Sequence, residues 1–242
     1  MNPEKIKKEL ADLEASGAQW WHTIDLGHGI LTPGRKDINQ DIKNWKLDDE
    51  SIFKDKRVLD IGAWDGGASF HAEKMGAKEV LAIDVAAWDI EEAIKIDEQG
   101  FAGREDVWWG TPEPFNFAKR ALKSNVQSKV LSVYDIDKNE IGSFDIVIFA
   151  GVLYHLRHPL LALEKIFDIL NPSGLLFVET QIVEGSKPLM VFLEKDEAFN
   201  DPANWWFPTP SCAKAMLRSS GFKINSSSSI GGRFACHCLK ND

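Results

Sequence analysis

Cysteine is scarce: Cys212, Cys236 and Cys238 are the only three in 242 residues, too few for a disulfide framework. Cys236-His237-Cys238 has the look of a metal cluster. Alternate residues of a strand share one face, however, a poor geometry for two chelating sulfurs, and no second pair elsewhere completes four ligands. Metal independence is the expectation. No apolar run approaches the roughly 18 residues of a membrane span. The opening stretch MNPEKIKKELADLEASGAQ is charged and has no apolar centre of a signal peptide. A cytoplasmic protein without a membrane partner is expected. Basic charge is also short, with 28 Lys and Arg against 37 Asp and Glu and a formal net charge of −9. Nucleic-acid binders usually carry a basic footprint, and the one modest cluster here, Lys119, Arg120, Lys123 and Lys129, reads as a solvated helix face. Internal repeats are absent, and the serines at 226–229 are too short a tract for disorder.

What is present describes a globular α/β chain. Hydrophobic residues make up 44% and charged residues 27%, the balance of a soluble domain. The length suits one large domain, or one with a small extension. Glu4 to Ser16 places Ile6, Leu10 and Leu13 at helical spacing. Ile24, Leu26, Ile30 and Leu31 flank Gly27-His28-Gly29 in a hairpin-like pattern. With Trp20, Trp21 and His22 just before it, this segment reads either as a lid over a pocket or as a hydrophobic plug on the sheet edge. Residues 35–56 read as a polar surface connection with a short helix. The division expected is an N-terminal helix and lid segment, 1–50, and a main domain, 51–242.

The main domain is organised around Arg57 to Asp84, RVLDIGAWDGGASFHAEKMGAKEVLAID. An apolar run, a glycine turn, a plausible helix over 68–75, a second apolar run and a closing acid follow the layout of a βαβ nucleotide-binding unit. Glycine at 62 and 66 lets backbone approach a ligand closely, and Asp84 at the second strand's tip is suited to two ribose hydroxyls. Trp64 occupies the slot of the second glycine of G-x-G-x-x-G, where a pyrophosphate would pass. That departure speaks against a dinucleotide, and so against a nicotinamide oxidoreductase. It favours S-adenosylmethionine, which has a ribose and no phosphate. Asp60, Gly62, Ala63, Trp64, Asp84 and Val85 are the candidate cofactor contacts. An ordinary α/β crossover is the competing reading of the stretch.

Further along, the pattern predicts a helix over 90–97, a loop or short-helix region over 101–117, a helix over 118–124 and a third strand over 130–134. Ile146 to Ala150 reads as a buried parallel strand, ending at Gly151-Val152-Leu153-Tyr154-His155. A helix over 159–170, a fifth strand over 175–179 and an irregular stretch over 181–210 follow. A helix from a Ser211 cap and an antiparallel hairpin around Gly231-Gly232 close the chain. Five parallel strands and a terminal hairpin give a seven-stranded mixed sheet, a Rossmann-like α/β three-layer sandwich. Asp60, Gly62, Asp84, Asp135 with Ile136, and Gly151 to His155 all fall at carboxyl ends of strands, where such sheets bind ligands.

These segments resemble the class I S-adenosylmethionine-dependent methyltransferases over nearly the whole chain. VLDIGAWDGGASFHAEKMGAKEVLAIDVAAWD, SFDIVIFAGVLYHLRHPLLALEKI, GLLFVET and NWWFPTPSCAKAMLRSSGF carry the resemblance. It is closest to the group of the tRNA wobble-uridine carboxymethyltransferase and its shorter relatives. The resemblance implies that Gly62 meets the methionine end of S-adenosylmethionine, Asp84 the ribose and Asp135 the adenine amino group, with Gly151 and Val152 alongside. Carboxymethyl-transferring members meet the donor's extra carboxylate with a basic residue in a Lys-Gly-Pro-Phe context. Here the comparable stretch is Trp20-Trp21-His22-Thr23, and most of their N-terminal extension is missing, so plain methyl transfer is expected.

An activated sulfonium methyl needs mainly an in-line nucleophile and, for a hydroxyl or protonated amine, a base. His155 or His158 is the candidate base, since histidine titrates near neutrality, with Tyr154 positioning the substrate. A helix-capping His155 and a merely packing Tyr154 are the alternative. His22 and His28 are secondary candidates. Trp205, Trp206 and Phe207 with Arg157, and Trp20, Trp21 and His22 opposite, are the expected substrate wall, suited to a planar small molecule or a flipped base. An O- or N-methyltransferase of a small-molecule acceptor is the first expectation. A tRNA wobble-uridine modifying enzyme, disfavoured by the acidic charge, and a non-catalytic S-adenosylmethionine-binding protein are the alternatives.

Overall fold

The computed structural model describes residues 1–89, 110–194, 197–199, 201 and 203–241. The helix expected over 90–97 lies outside them, as does much of the region over 101–117. The chain divides into two compact units, one running to Val130 and the other from Leu131 onward, with part of the undescribed stretch in each.

The first unit opens with α1 (Pro3–Ala15), started by Pro3 and by Asn2 Oδ1, which accepts the Lys5 amide at 2.8 Å. Ile6 and Leu10 form its buried stripe. The hairpin-like segment follows, with an isolated antiparallel bridge between Asp25 and Leu31. Two short parallel strands, β1 (His22–Thr23) and β2 (Lys36–Asp37), bracket it. The polar connection holds two helices, α2 (Ile38–Trp45) and α3 (Glu50–Phe53), each capped by an aspartate, Asp37 and Asp49. Then come β3 (Arg57–Ile61), α4 (Gly67–Lys74) and β4 (Glu79–Asp84). The two strands are apolar and almost wholly buried, and they pair in parallel, as a strand covered on both faces must be.

Two expectations in this unit are corrected. A helix, α5 (Glu113–Leu122), begins well before 118 and buries Pro114, Phe115, Phe117, Ala118 and Ala121. Its prolines sit in the first turn, where a missing N–H costs nothing and φ is already helical; they start the helix instead of marking a loop. The third strand, β5, is Gln127–Val130, not 130–134. It pairs with β4 from Leu81–Gln127 to Asp84–Val130. Beyond Asp84, β4 offers nothing more to pair with, and the chain turns. All four β5 residues are exposed, so pairing, not burial, chose them.

In the second unit, a short α6 (Lys138–Ile141) leads into β6 (Phe144–Ala150). A 3-10 turn, Leu153–His155, and α7 (Pro159–Ile169) follow. The fifth strand of the sheet, β7, runs Leu170–Gln181, longer than the apolar core 175–179 indicated. Its ends are held by pairing, Leu170 with Phe144 on β6 and Gln181 with Arg233 on the far side. The stretch 181–210, expected to be irregular, contains an antiparallel ribbon of β8 (Met190–Phe192) and β9 (Trp206–Pro208). The helix after it, α8 (Pro210–Ser219), is capped by Thr209 in place of Ser211, with the Cys212 amide 3.2 Å from Thr209 Oγ1. Pro210 as first helical residue places the cap one position earlier. The hairpin β10 (Phe222–Ile230) and β11 (Arg233–Lys240) closes the unit around Gly231-Gly232.

β3, β4 and β5 of the first unit and β6, β7, β10 and β11 of the second belong to one seven-stranded sheet. β3 with β4, β4 with β5 and β6 with β7 run parallel; β11 is antiparallel to both β7 and β10. This is the Rossmann-like α/β class, closed by a C-terminal antiparallel hairpin. Cys236 and Cys238 lie on one face of β11, buried, with sulfurs 3.3 Å apart. Among the described residues no group of three His, Cys, Asp or Glu side chains is placed to hold a metal, and no helix is long and apolar enough to cross a membrane.

Candidate active site

In the first unit, the turn after β3 is built by left-handed backbone. Gly62 (φ 75°), Trp64 (φ 51°) and Gly66 (φ 86°) all take positive φ. A Cβ on Gly66 would lie 2.5 Å from the Phe70 ring and 2.7 Å from Phe115, so only glycine fits there. Trp64 holds a conformation that costs an L-residue about 1–2 kcal/mol, and its surroundings hold it in place. Its amide donates to Asp84 Oδ2 at 2.9 Å, and its carbonyl accepts from Trp88 Nε1 at 2.8 Å.

Asp84, the last residue of β4, is buried, and its Oδ1 accepts the Ala87 amide at 2.9 Å. Burial raises its pKa against the pull of these backbone donors. The Val85 amide bonds the carboxylate as well, so three backbone N–H groups converge on it. Asp60, inside the unit, accepts Ser69 Oγ at 2.6 Å. Burial pushes its pKa up to about 6, with the Ser69 bond and the His22 charge opposing. Ala63 is buried and Val85 half-buried.

Asp65 is wholly enclosed. Its Oδ2 accepts the amides of Trp21 at 2.8 Å and His22 at 2.6 Å, and its Oδ1 lies 2.6 Å from His22 Nδ1. Burial would lower the His22 pKa, but the Asp65 charge and hydrogen bond, helped by Asp41 and Asp60, raise it above the ordinary value. The two tryptophans of the N-terminal segment part company. Trp20 is buried, edge-on to Phe117 at 6.1 Å, while Trp21 lies 6.1 Å from Trp64 with Lys36 Nζ over its ring at 5.3 Å. His28 stands at the hairpin tip with φ 57°.

In the second unit, Asp135 is exposed in a turn, its amide donating to Ser132 O at 3.1 Å, and Ile136 is buried. Gly151 (φ 74°) and Val152 leave the end of β6 half-buried. Tyr154 is buried; its ring lies 4.0 Å from that of His155 and meets Phe207 edge-on at 6.0 Å. His155 Nδ1 lies 3.0 Å from the Ala203 carbonyl oxygen. A carbonyl only accepts, so the proton is on Nδ1 and Nε2 carries the free lone pair. Burial lowers the His155 pKa, with Asp201 and the Ala203 bond opposing and Arg233 assisting. His158 is exposed, its amide donating to Tyr134 Oη at 3.1 Å. The structure therefore separates the two histidines.

Around this turn sit the aromatic residues. The Arg157 guanidinium lies 4.9 Å over the Trp205 ring, and Trp206 Nε1 donates to Arg157 O at 3.3 Å. Trp205 and Phe207 are buried and Trp206 half-buried. At the end of β7, Glu179 takes the Nε and Nη2 of Arg233 fork to fork. Arg233 Nη1 donates to Gln181 Oε1 at 2.6 Å and lies 3.4 Å from Tyr154 Oη, with the guanidinium 5.1 Å over the Tyr154 ring. Burial works against the Arg233 charge, and Glu179 overrides it, so its pKa lies above the ordinary arginine value.

A glycine turn after the first strand of a βαβ unit, an acid ending the second, and a histidine-bearing turn after a buried parallel strand now stand together with a match to known sequences. A family model described as a methyltransferase domain matches residues 40–227. The chain belongs to that family. As an S-adenosylmethionine-dependent methyltransferase it has S-adenosylmethionine as its cofactor. Among curated proteins it is similar to the tRNA U34 carboxymethyltransferase of Idiomarina loihiensis, 28% identical over 91% of this chain and 71% of that one. It is likewise similar to that of Methylococcus capsulatus, 30% identical over 81% of this chain and 53% of that one. The chain spans about half the length of most of the curated relatives it matches. Among solved structures, the N-terminal domain of EvdMO1, determined in the presence of SAH and D-fucose, shares the fold. Its TM-score is 0.58 at 16% identity, over 100% of this chain and 97% of that one.

The residues present fit the cofactor. The buried Asp84 carboxylate at the tip of β4 suits a ribose hydroxyl, and glycine at 62, with its positive φ, puts no side chain at the end of β3. The methyltransferase has polar residues that sequence reasoning missed. Asp65 was read only as a turn residue, and Glu179 and Arg233 only as strand ends. An acid closing the apolar run Leu175–Val178, and an arginine opening the strand after Gly-Gly, were the available signals.

Proposed function

We propose that this methyltransferase moves the sulfonium methyl of S-adenosylmethionine to an oxygen or nitrogen of a small-molecule acceptor, with His155 as general base. The observation that carries the reading is the Nδ1–Ala203 bond, which leaves the His155 Nε2 lone pair as the proton acceptor. His158, exposed and tethered through its backbone to Tyr134, is the weaker candidate. When bound, the cofactor supplies an activated methyl group. The chain's own residues hold and orient: Asp84 the ribose, Gly62 with Asp60, Ala63, Trp64 and Val85 the neighbouring part of the cofactor, Asp135 and Ile136 the adenine, and Gly151 and Val152 the flank. Tyr154 positions the acceptor, and Arg157, Trp205, Trp206 and Phe207 line its site. From the segment 1–50, read as a lid to the domain 51–242, Trp21 and His22 contribute and Trp20 anchors.

Two observations support methyl over carboxymethyl transfer to this acceptor class. The Arg233 charge is taken up by Glu179, which leaves it ill-suited to a donor's extra carboxylate, and the net charge of −9 disfavours a polyanionic acceptor. The names of the relatives favour a second reading, modification of tRNA at U34. Incubation with radiolabelled S-adenosylmethionine and cell extract, with and without RNA, tests the two. Label in a small-molecule fraction is the expected result. Label in tRNA would establish the second reading, and binding without transfer would remove both.

A further inference from the structure

Ala198, Asp201, Ala203, Asn204 and Trp205 are linked by hydrogen bonds, among them one from the Asn204 side chain. Asn204 is only 1% exposed. Its Nδ2 donates to Ala198 O at 3.1 Å, and its amide to Asp201 O at 3.3 Å. Asp201 adds two more, its amide donating to Ala198 O at 3.2 Å and its Oδ1 accepting the Ala203 amide at 2.9 Å. Two further bonds run to the 3-10 turn. The Trp205 amide donates to Tyr154 O at 2.9 Å, and Ala203 O accepts from His155 Nδ1 at 3.0 Å.

Asn204 Oδ1, by contrast, is buried and has no hydrogen-bond partner among the described residues. A buried amide oxygen left unpaired is unfavourable by roughly 1–3 kcal/mol. A residue kept only for stability would be better replaced here by an apolar one of the same shape. What the amide provides is a donor that fixes where the Ala203 carbonyl points.

We infer that Asn204 is a positioning residue: by its bond to Ala198 O it holds the neighbouring Ala203 O on His155 Nδ1 and keeps the imidazole in the Nδ1–H tautomer. This rests on the reading of His155 as base for its catalytic meaning, but the tautomer is measurable without any acceptor. The wrong tautomer would put the proton on the nitrogen that must receive one.

The test is nitrogen-detected NMR of the full chain labelled with ¹⁵N-histidine. The protein has six histidines, and the signal lost in His155→Gln identifies His155. The expected result is an Nδ1–H imidazole in the wild type. In Asn204→Leu, close to isosteric and without the donor, Nε2–H should become the major form. S-adenosylmethionine affinity should stay within about 3-fold, since neither Asn204 nor Ala203 is assigned to the cofactor. An Nε2–H wild type would overturn the inference without any variant. So would a folded Asn204→Leu protein whose tautomer is unchanged. If His155→Gln instead retained full methyl transfer to the labelled acceptor fraction, the base assignment would fall while the tautomer result stood on its own.

Discussion

Asp65 grips His22 at two points, by its backbone amide and by its imidazole, each at 2.6 Å. The two residues are 43 positions apart in the chain, and the contact joins the N-terminal segment to the turn that follows β3. With neither side chain well exposed, solvent screens this pair little.

Breaking it should be costly. Asp65→Ala leaves the His22 imidazole and two amides without their acceptor, and a loss of about 3–5 kcal/mol is expected for a buried pair so broken. Asp65→Asn, which keeps acceptor capacity, should lose less. Urea unfolding of the three proteins at pH 7 measures both, and equal midpoints would show that the grip adds nothing.

The same pair makes stability depend on pH. The folded pKa of His22 lies above the ordinary histidine value near 6.5. Its stabilising share is therefore fully present below about 6.5 and disappears as pH rises through the folded value. The stability gap between wild type and His22→Gln should narrow from pH 6 to pH 9. A gap that widened would reverse the sign.

Asp60 acts in the opposite sense. With a folded pKa of about 6 against an ordinary aspartate value of 3.8, the native state keeps a proton that the unfolded chain releases, so stability from this group falls as pH rises between those two values. Asp60→Asn retains an acceptor for Ser69 Oγ and avoids the buried charge. Above pH 6 it should gain on the wild type by on the order of 3 kcal/mol. Denaturation midpoints at pH 4 and pH 7 provide the comparison; a variant that fell behind at pH 7 would mean that the Asp60 charge is used.

Arg233 and Glu179 should behave as one unit. Glu179→Gln strands a partly buried guanidinium, and Arg233→Met strands a buried carboxylate. Each should destabilise by several kcal/mol, and the Glu179→Gln, Arg233→Met double variant should recover much of the loss. Strict additivity in a double-mutant cycle would deny the coupling.

For turnover, His155→Gln should reduce kcat by roughly 10²–10⁴-fold, the range for a lost base, while His158→Gln should change it little. Burial lowers the His155 pKa, so the acid limb of the kcat profile should fall below the ordinary histidine value near 6.5. A His158→Gln protein with the larger loss would exchange the two assignments.

Much of the fold was legible because apolar runs mark strands covered on both faces: 58–61, 80–83 and 146–149 are all buried. β5 was misplaced because its four residues are exposed, so composition carried no trace of the pairing that defines it. The helix over 113–122 was hidden by prolines that read as breakers and serve as starters. In the candidate site, Asp60, Gly62 and Asp84 were visible because strand, turn and strand are consecutive in the chain. Asp65 with His22, Glu179 with Arg233, and Ala203 with His155 were not. Each joins a loop or strand end to a residue more than forty positions away, and such a contact leaves no periodic pattern in the residues on either side.

The left-handed turn at Trp64 has an optical consequence. Three of the nine tryptophans meet there: Trp64 itself, Trp88 through its indole bond to the Trp64 carbonyl, and Trp21 through its ring. The amide of that same Trp64 is bonded to Asp84. A group that draws on the Asp84 carboxylate therefore tugs directly on a cluster of indoles, and their ultraviolet emission becomes a label-free reporter of events at the end of β4. The chain carries its own fluorophore where a dye would otherwise have to be attached.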